Sequence, residues 1–207
     1  RLLVVQHAIR RMILKMSFLI TLCLTFLAVN AQNTSSPITI EYRQGCSFCA
    51  SKSLKATLYT YSKGSFYTFK HDDSVPVEST EGAVIIDTST KYILYEVKSD
   101  SIYQLANMKV VQPGGVLVGE RREHIDWKFI DSTKQIDGHS CKFAKGSFRG
   151  REYLVWYTPD IAIHVGPWKL HGLPGAVIYA SDTTGELYFK AIAVHDISEE
   201  ELGSIVK

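Results

Sequence analysis

Chemistry in this chain begins with Cys46-Ser47-Phe48-Cys49. Two thiols separated by two residues support a short-range disulfide, half of a metal site, or a redox couple. A structural zinc site needs two further ligands, and no second C-x-x-C occurs. A thioredoxin-like couple needs a strand–helix context that the flanking residues do not supply. A Cys46–Cys49 disulfide is therefore the leading expectation, with two separate thiols or a bridge from one of them to Cys141 left open. The histidines His71, His124, His139, His164, His171 and His195 show no spacing that would set two ligands on one helical face. His164 and His171 bracket a proline loop, and a site shared with His195, joined by a carboxylate such as Asp160, is the arrangement that would bring histidine-based metal chemistry. The plainer reading is solvated or hydrogen-bonded strand histidines, so neither metal nor cofactor is expected. No G-x-S-x-G elbow or Walker-type loop is present, and Cys141 has no context that marks a nucleophile. Asp72-Asp73 reads as a solvated turn, Glu199-Glu200-Glu201 as a helix start, and Arg151 as the partner of a nearby carboxylate or of backbone carbonyls. No catalytic residue is assigned, although a hydrolase site assembled from distant residues stays an alternative.

The elements that would position these residues are short strands. Runs of β-branched and aromatic residues alternate with turn residues at 37–43, 54–61, 65–70, 91–98, 101–111, 115–121, 124–130, 140–148, 151–158, 175–181 and 186–195. Lys63-Gly64-Ser65, Pro113-Gly114-Gly115, Asp137-Gly138, Arg149-Gly150 and Thr184-Gly185 supply residues tolerant of positive φ, so neighbouring strands are antiparallel. In 124–130, Ile125, Trp127 and Phe129 alternate with His124, Asp126 and Lys128, as in a strand packed on one face. In 151–157 both faces are bulky, which predicts cover on both sides. The tail from Asp196 carries Ser198 ahead of three glutamates and would start a helix. With 11 Tyr, 9 Phe and 3 Trp, a curved sheet either packs on itself or leaves an apolar groove. The expected fold is all-β and mainly antiparallel, a curved meander sheet or open half-barrel, with an N-terminal signal helix.

Charge divides the 207-residue chain at its start. Residues 1–31 hold Arg1, Arg10, Arg11 and Lys15 without a carboxylate, so the net +2 belongs to them and the remainder is slightly acidic. That remainder lacks the basic excess of a nucleic-acid binder, and 21% charged with 45% hydrophobic residues excludes disorder. Ser17 to Val29 is an apolar run too short to span a bilayer, preceded by Lys15 and followed by a small-residue junction between Ala31 and Gln32. This is the layout of a signal peptide. Because residue 1 is Arg, translation is expected to start at Met12 or Met16, with upstream read-through before it. The expected division is therefore 1–31, extension plus signal peptide, and 32–207, a single β-rich domain. Its address is periplasmic or secreted, without a transmembrane anchor after cleavage, in a compartment that permits disulfides.

Within 124–178 the order runs Trp127, Thr133-Lys134, Ile136, Gly138, Cys141, Ala144 and Phe148. It continues through Gly150-Arg151, Tyr153, Trp156-Tyr157-Thr158, Ile161, Gly166-Pro167 and Gly172-Leu173-Pro174-Gly175. This region resembles the GLPGLI family, small exported envelope proteins of Gram-negative bacteria without an assigned activity. Ala176-Val177 stand where Leu-Ile is usual, both strand-compatible. The resemblance does not reach Cys46 and Cys49. Gly166-Pro167 and Leu173-Pro174-Gly175 fix two turns, since proline sets φ and glycine reaches positive φ cheaply, and Leu173 before Pro174 is held extended. Such a loop either seals the core across one end of the sheet or contacts a ligand. Its residues Gly166, Pro167, Trp168, Gly172, Leu173, Pro174 and Gly175, with Trp156 and Tyr157, are the candidate binding residues. The expected role is a non-enzymatic binding or carrier module for an apolar ligand or envelope partner. A metal or redox protein using Cys46 and Cys49 is the alternative.

Overall fold

Short β-prone runs punctuated by turns pair their backbone groups most simply in antiparallel ladders. The computed structural model describes residues 36–49, 52–74, 90–106 and 116–205. They form β1 (Ile38–Cys46), β2 (Ser53–Tyr61), β3 (Gly64–His71), β4 (Lys91–Glu96), β5 (Ser101–Ala106) and β6 (Val116–Arg121). After these come β7 (Lys128–Ile136), β8 (His139–Phe148), β9 (Arg151–Thr158), β10 (Ala176–Asp182), β11 (Leu187–Asp196) and a short helix α1 (Glu199–Ile205). All eleven strands join one sheet in the order β6-β5-β4-β3-β2-β1-β11-β10-β9-β8-β7, and every pairing is antiparallel. The all-β, open-sheet expectation is met. The signal segment, the Ala31–Gln32 junction and Pro113-Gly114-Gly115 lie outside the described residues.

Edge strands β6 and β7 are consecutive in sequence, which forces the sheet to curl. Eleven strands laid flat would separate their edges by about 48 Å. The chain from Arg121 to Lys128 reaches at most about 25 Å, so the two edges lie within about half that width. Three bulges bend the sheet in the same service, where Ile192, Ile178 and the pair Asp131-Ser132 are skipped by the strands opposite. Segment 122–127 is thus a strap between the edges.

Register sets the faces. Ile40, Leu58, Tyr67 and Ile93 form one cross-strand row, and Phe189, Ala180, Val155 and Ala144 form another. All eight are buried in one core on the inner face, each large one contributing about 1.5–3 kcal/mol by leaving water. Buried phenols need partners: Tyr42 Oη donates to the Val177 carbonyl (2.8 Å) and Tyr67 Oη to Gln44 Oε1 (3.0 Å). At the C-terminal end, Ser198 Oγ accepts from the Glu201 amide (3.1 Å), capping α1 as expected, and Leu202 anchors it.

Four sequence expectations need correction. The strand expected at 124–130 begins only at Lys128, because Ile125 and Trp127 belong to the strap. An extended segment alternates its side chains whether or not it is paired, so periodicity alone did not separate the two. Asp72 is not solvated: it is fully buried and paired with Lys55 (3.1 Å). Strand β9 buries Tyr153, Val155 and Tyr157 but leaves Leu154 and Trp156 half-buried, since one sheet covers one face completely. Gly64 keeps no positive φ; it serves a close approach to the Tyr95 carbonyl, whereas Asp137-Gly138, Arg149-Gly150 and Gly185 have the positive φ expected.

Candidate functional site

Between β9 and β10 the proline loop folds into a small hairpin of its own. The Gly172 amide donates to the His164 carbonyl (2.8 Å), Val165 bridges His171, and the Gly166 amide donates to the Leu170 carbonyl (2.8 Å). Pro167–Leu170 forms the turn, closed by the Leu170 amide on the Pro167 carbonyl (3.1 Å), with Trp168 at φ 55°. The sequence signal for this was present in Gly166 and Gly172 flanking the turn, but proline spacing suggested only an irregular segment.

This hairpin is pressed onto the inner face. Ile163, Leu170 and Leu173 enter the core, and Trp168 packs edge-on against Phe148 (5.8 Å). From the strap, Trp127 Nε1 donates to the His171 carbonyl (2.8 Å) while its ring covers Gly146 and touches Gly172. Gly175 has φ 153°, and a Cβ there would strike the Thr158 carbonyl, so the last glycine of the motif is required for β10 to leave β9. Most of the expected apolar groove is therefore filled by the loop itself.

A cleft of about 20 Å³ lies between the hairpin and β3–β5. Tyr67, Ile93, Ile102 and Leu170 give it an apolar floor, and Arg122, Lys169 and His171 stand at its rim. Arg122 lies over the Tyr95 ring (4.3 Å) and pairs with Asp100 (2.8 Å). Lys169, only 7% exposed, donates to Glu120 on edge strand β6 (2.7 Å), and Arg149 from the β8–β9 turn pairs with the same carboxylate. Burial raises the Glu120 pKa, but the hydrogen bonds from Lys169 and Arg149 outweigh it and leave the carboxyl below its ordinary value. The pKa of His171 is lowered by burial, against the opposing bond to the Lys169 carbonyl (2.9 Å), so the ring is neutral at neutral pH. No local sequence signal groups Glu120, Arg149, Lys169 and Arg122, because segments far apart in the chain bring them together.

The candidate binding residues divide. Gly166, Pro167, Trp168, Gly172, Leu173, Pro174 and Gly175 build the hairpin and its exit, and Tyr157 is buried on the inner face. Trp156 is on the other face, against Phe143 (4.8 Å). The histidines do not share a site: His164 Nδ1 meets the Leu173 carbonyl (3.1 Å) and His195 sits against Glu41 (3.7 Å). Among the described residues no cluster of three metal-ligating side chains forms. Cys46 and Cys49 are joined in a disulfide and Cys141 is a buried free thiol, so the pair presents no thiolate to a metal. Arg151 pairs with Asp182 and with Glu186 (3.0 Å) and lies over Phe48 in the Cys46–Cys49 turn (4.9 Å).

No protein-family model matches the chain, and no curated protein matches it. Its fold is similar to that of PNGF-II in two crystal forms, P21 and C2, at 18% identity and TM-scores of 0.54 and 0.53. The alignments cover 79% of this chain but 29% and 28% of those chains. A LolA superfamily protein from Nitrosomonas europaea aligns at 8% identity and a TM-score of 0.33, over 82% of this chain and 90% of that one. The likeness to PNGF-II is one of fold, and the chain spans under a third of that protein's length.

Proposed function

We propose that this chain is an exported, non-catalytic binding module of the GLPGLI type that takes an apolar or amphipathic ligand between the 164–172 hairpin and the sheet. The observation that carries this reading is the cleft itself, with apolar floor residues Tyr67, Ile93 and Ile102 beneath a rim holding Arg122 and Lys169. An apolar tail would occupy the floor, and an acidic head at the rim would exchange with Asp100 for Arg122 or with Glu120 for Lys169. A space of about 20 Å³ holds about one water, so a ligand is admitted by displacement of the Pro167–Leu170 turn. Export is supported by the signal-peptide layout of residues 1–31 and by the Cys46–Cys49 disulfide, which suits an oxidising compartment. Among the described residues no helix is long and apolar enough to cross a membrane.

Titration of the purified protein with N-phenyl-1-naphthylamine, followed by displacement with palmitate, tests the reading. Saturable fluorescence enhancement is expected, reversed by palmitate and abolished by Ile102→Trp, which fills the cleft. Enhancement that does not saturate, or that is as strong in the filled variant, overturns it.

A further inference from the structure

The sheet's outer face carries a second feature, independent of the cleft. Lys190 on β11 is opposite Arg43 on β1, Arg43 is opposite Lys55 on β2, and Lys55 is opposite Lys70 on β3. Four cations therefore stand in one unbroken row across four adjacent strands, at the strand interval of about 4.8 Å. All four are exposed. Like charges directly opposite one another destabilise a sheet, and this row contains three such pairs in succession. Internal neutralisation is partial: Asp137 reaches Lys190 (3.6 Å) and Asp72 reaches Lys55 (3.1 Å). Among the described residues Arg43 and Lys70 have no acidic partner. Beside the row the half-buried Tyr188 ring packs directly on Gly45, where a Cβ would come within 1.9 Å of the ring's Cε1. A flat aromatic face next to regularly spaced cations matches a sugar ring next to regularly spaced carboxylates.

We propose that this row and Tyr188 form a docking strip for a linear acidic polysaccharide, one with a carboxylate on successive sugars. The row is one residue wide, with Glu41 two positions along β1, so it suits a single extended chain better than a charged plane such as a membrane. Nucleic acid carries a far denser charge, which four cations on an otherwise slightly acidic domain do not match.

Affinity electrophoresis through gels containing polygalacturonate tests the strip. Dextran, single-stranded oligo(dT) and phosphatidylglycerol vesicles serve as comparators. Retardation by polygalacturonate and not by dextran is expected, weakening with salt and falling at least tenfold in Arg43→Thr/Lys70→Thr. Threonine suits a strand and relieves the repulsion, so the Tm of that variant is expected to be unchanged or higher. Lys70→Gln alone gives a smaller loss in the same direction. Absence of retardation by polygalacturonate, equal retardation of the variants, or preference for oligo(dT) or vesicles overturns the proposal. None of these outcomes bears on the cleft, whose residues lie on the opposite face.

Discussion

Asp72 concentrates what single residues add to this fold. Its carboxylate is fully buried, accepts from the Ser74 hydroxyl (2.6 Å) and amide (3.1 Å), and pairs with Lys55. The Ser74 hydroxyl bond, joined by Lys55, overcomes desolvation and holds the carboxyl down to about 2. A carboxyl depressed in the folded state adds stability above its ordinary range, and that stability disappears as pH falls from about 4 toward 2. Asp72→Asn is expected to destabilise by about 1–3 kcal/mol at neutral pH. Thermal melts from pH 6 to pH 2 should show the gap between the two proteins closing at the acid end, and a gap independent of pH contradicts this account. Trp127→Phe tests a different kind of contact, because it keeps an aromatic ring in the strap but removes the bond to the His171 carbonyl together with part of the indole's packing on Gly146 and Gly172. Urea unfolding should register a loss of about 1 kcal/mol or more; no measurable loss would mean that neither the bond nor the indole's extra ring fastens the hairpin.

Elements depend on how their glycines meet the neighbouring chain, and the motif glycines rank accordingly. Gly175 opposes the Thr158 backbone at a φ that other residues rarely adopt, whereas a Cβ on Gly146 meets the Trp127 ring at 2.6 Å, and a side chain can move. Gly138 has positive φ and open space. Alanine substitution is expected to cost about 3 kcal/mol or more at Gly175 and about 1 kcal/mol at Gly138, with Gly146 between them. Urea titration of the three variants gives the order, and parity between Gly175→Ala and Gly138→Ala would remove the backbone clash as the reason for the motif's last glycine. This ranking also marks what was legible beforehand. Most strand identities, the antiparallel pairing, the turn glycines Gly138, Gly150 and Gly185 and the Ser198 cap follow from local chemistry, and each of these is found. The strap alternates like a strand in sequence because alternation does not encode pairing. Trp168 at positive φ carried no local signal, and the Glu120–Lys169–Arg149 contact depends on curl, which arises only when bulges far apart in the chain act together.

Across the whole molecule, the open sheet is held in its curl by two connections between distant parts. One is covalent, the strap from β6 to β7; the other is ionic, where Glu120 of β6 receives Lys169 of the hairpin and Arg149 of the β8–β9 turn. The ionic one responds to acid. The Glu120 carboxyl lies below its ordinary value, so its contribution is complete above the usual carboxylate range and fades as pH falls through it. His171 adds an earlier step, because its pKa is also lowered and the buried neutral ring, facing Arg122, is disfavoured once protons bind below the ordinary histidine value. Acidification should therefore loosen residues 164–172 before it affects β1, β2 and β11. Hydrogen exchange, corrected for intrinsic rate, checks this: protection in the hairpin should fall between pH 7 and pH 5 and fall further below pH 4.5, with the central strands unchanged. Glu120→Gln should reproduce the second loss at pH 7, since it leaves the nearly buried Lys169 without its anionic partner. Uniform loss of protection across sheet and hairpin would mean that the hairpin is an inseparable part of the core. A ligand would then have no route beneath it, so the same measurement decides whether the cleft opens while the sheet remains folded.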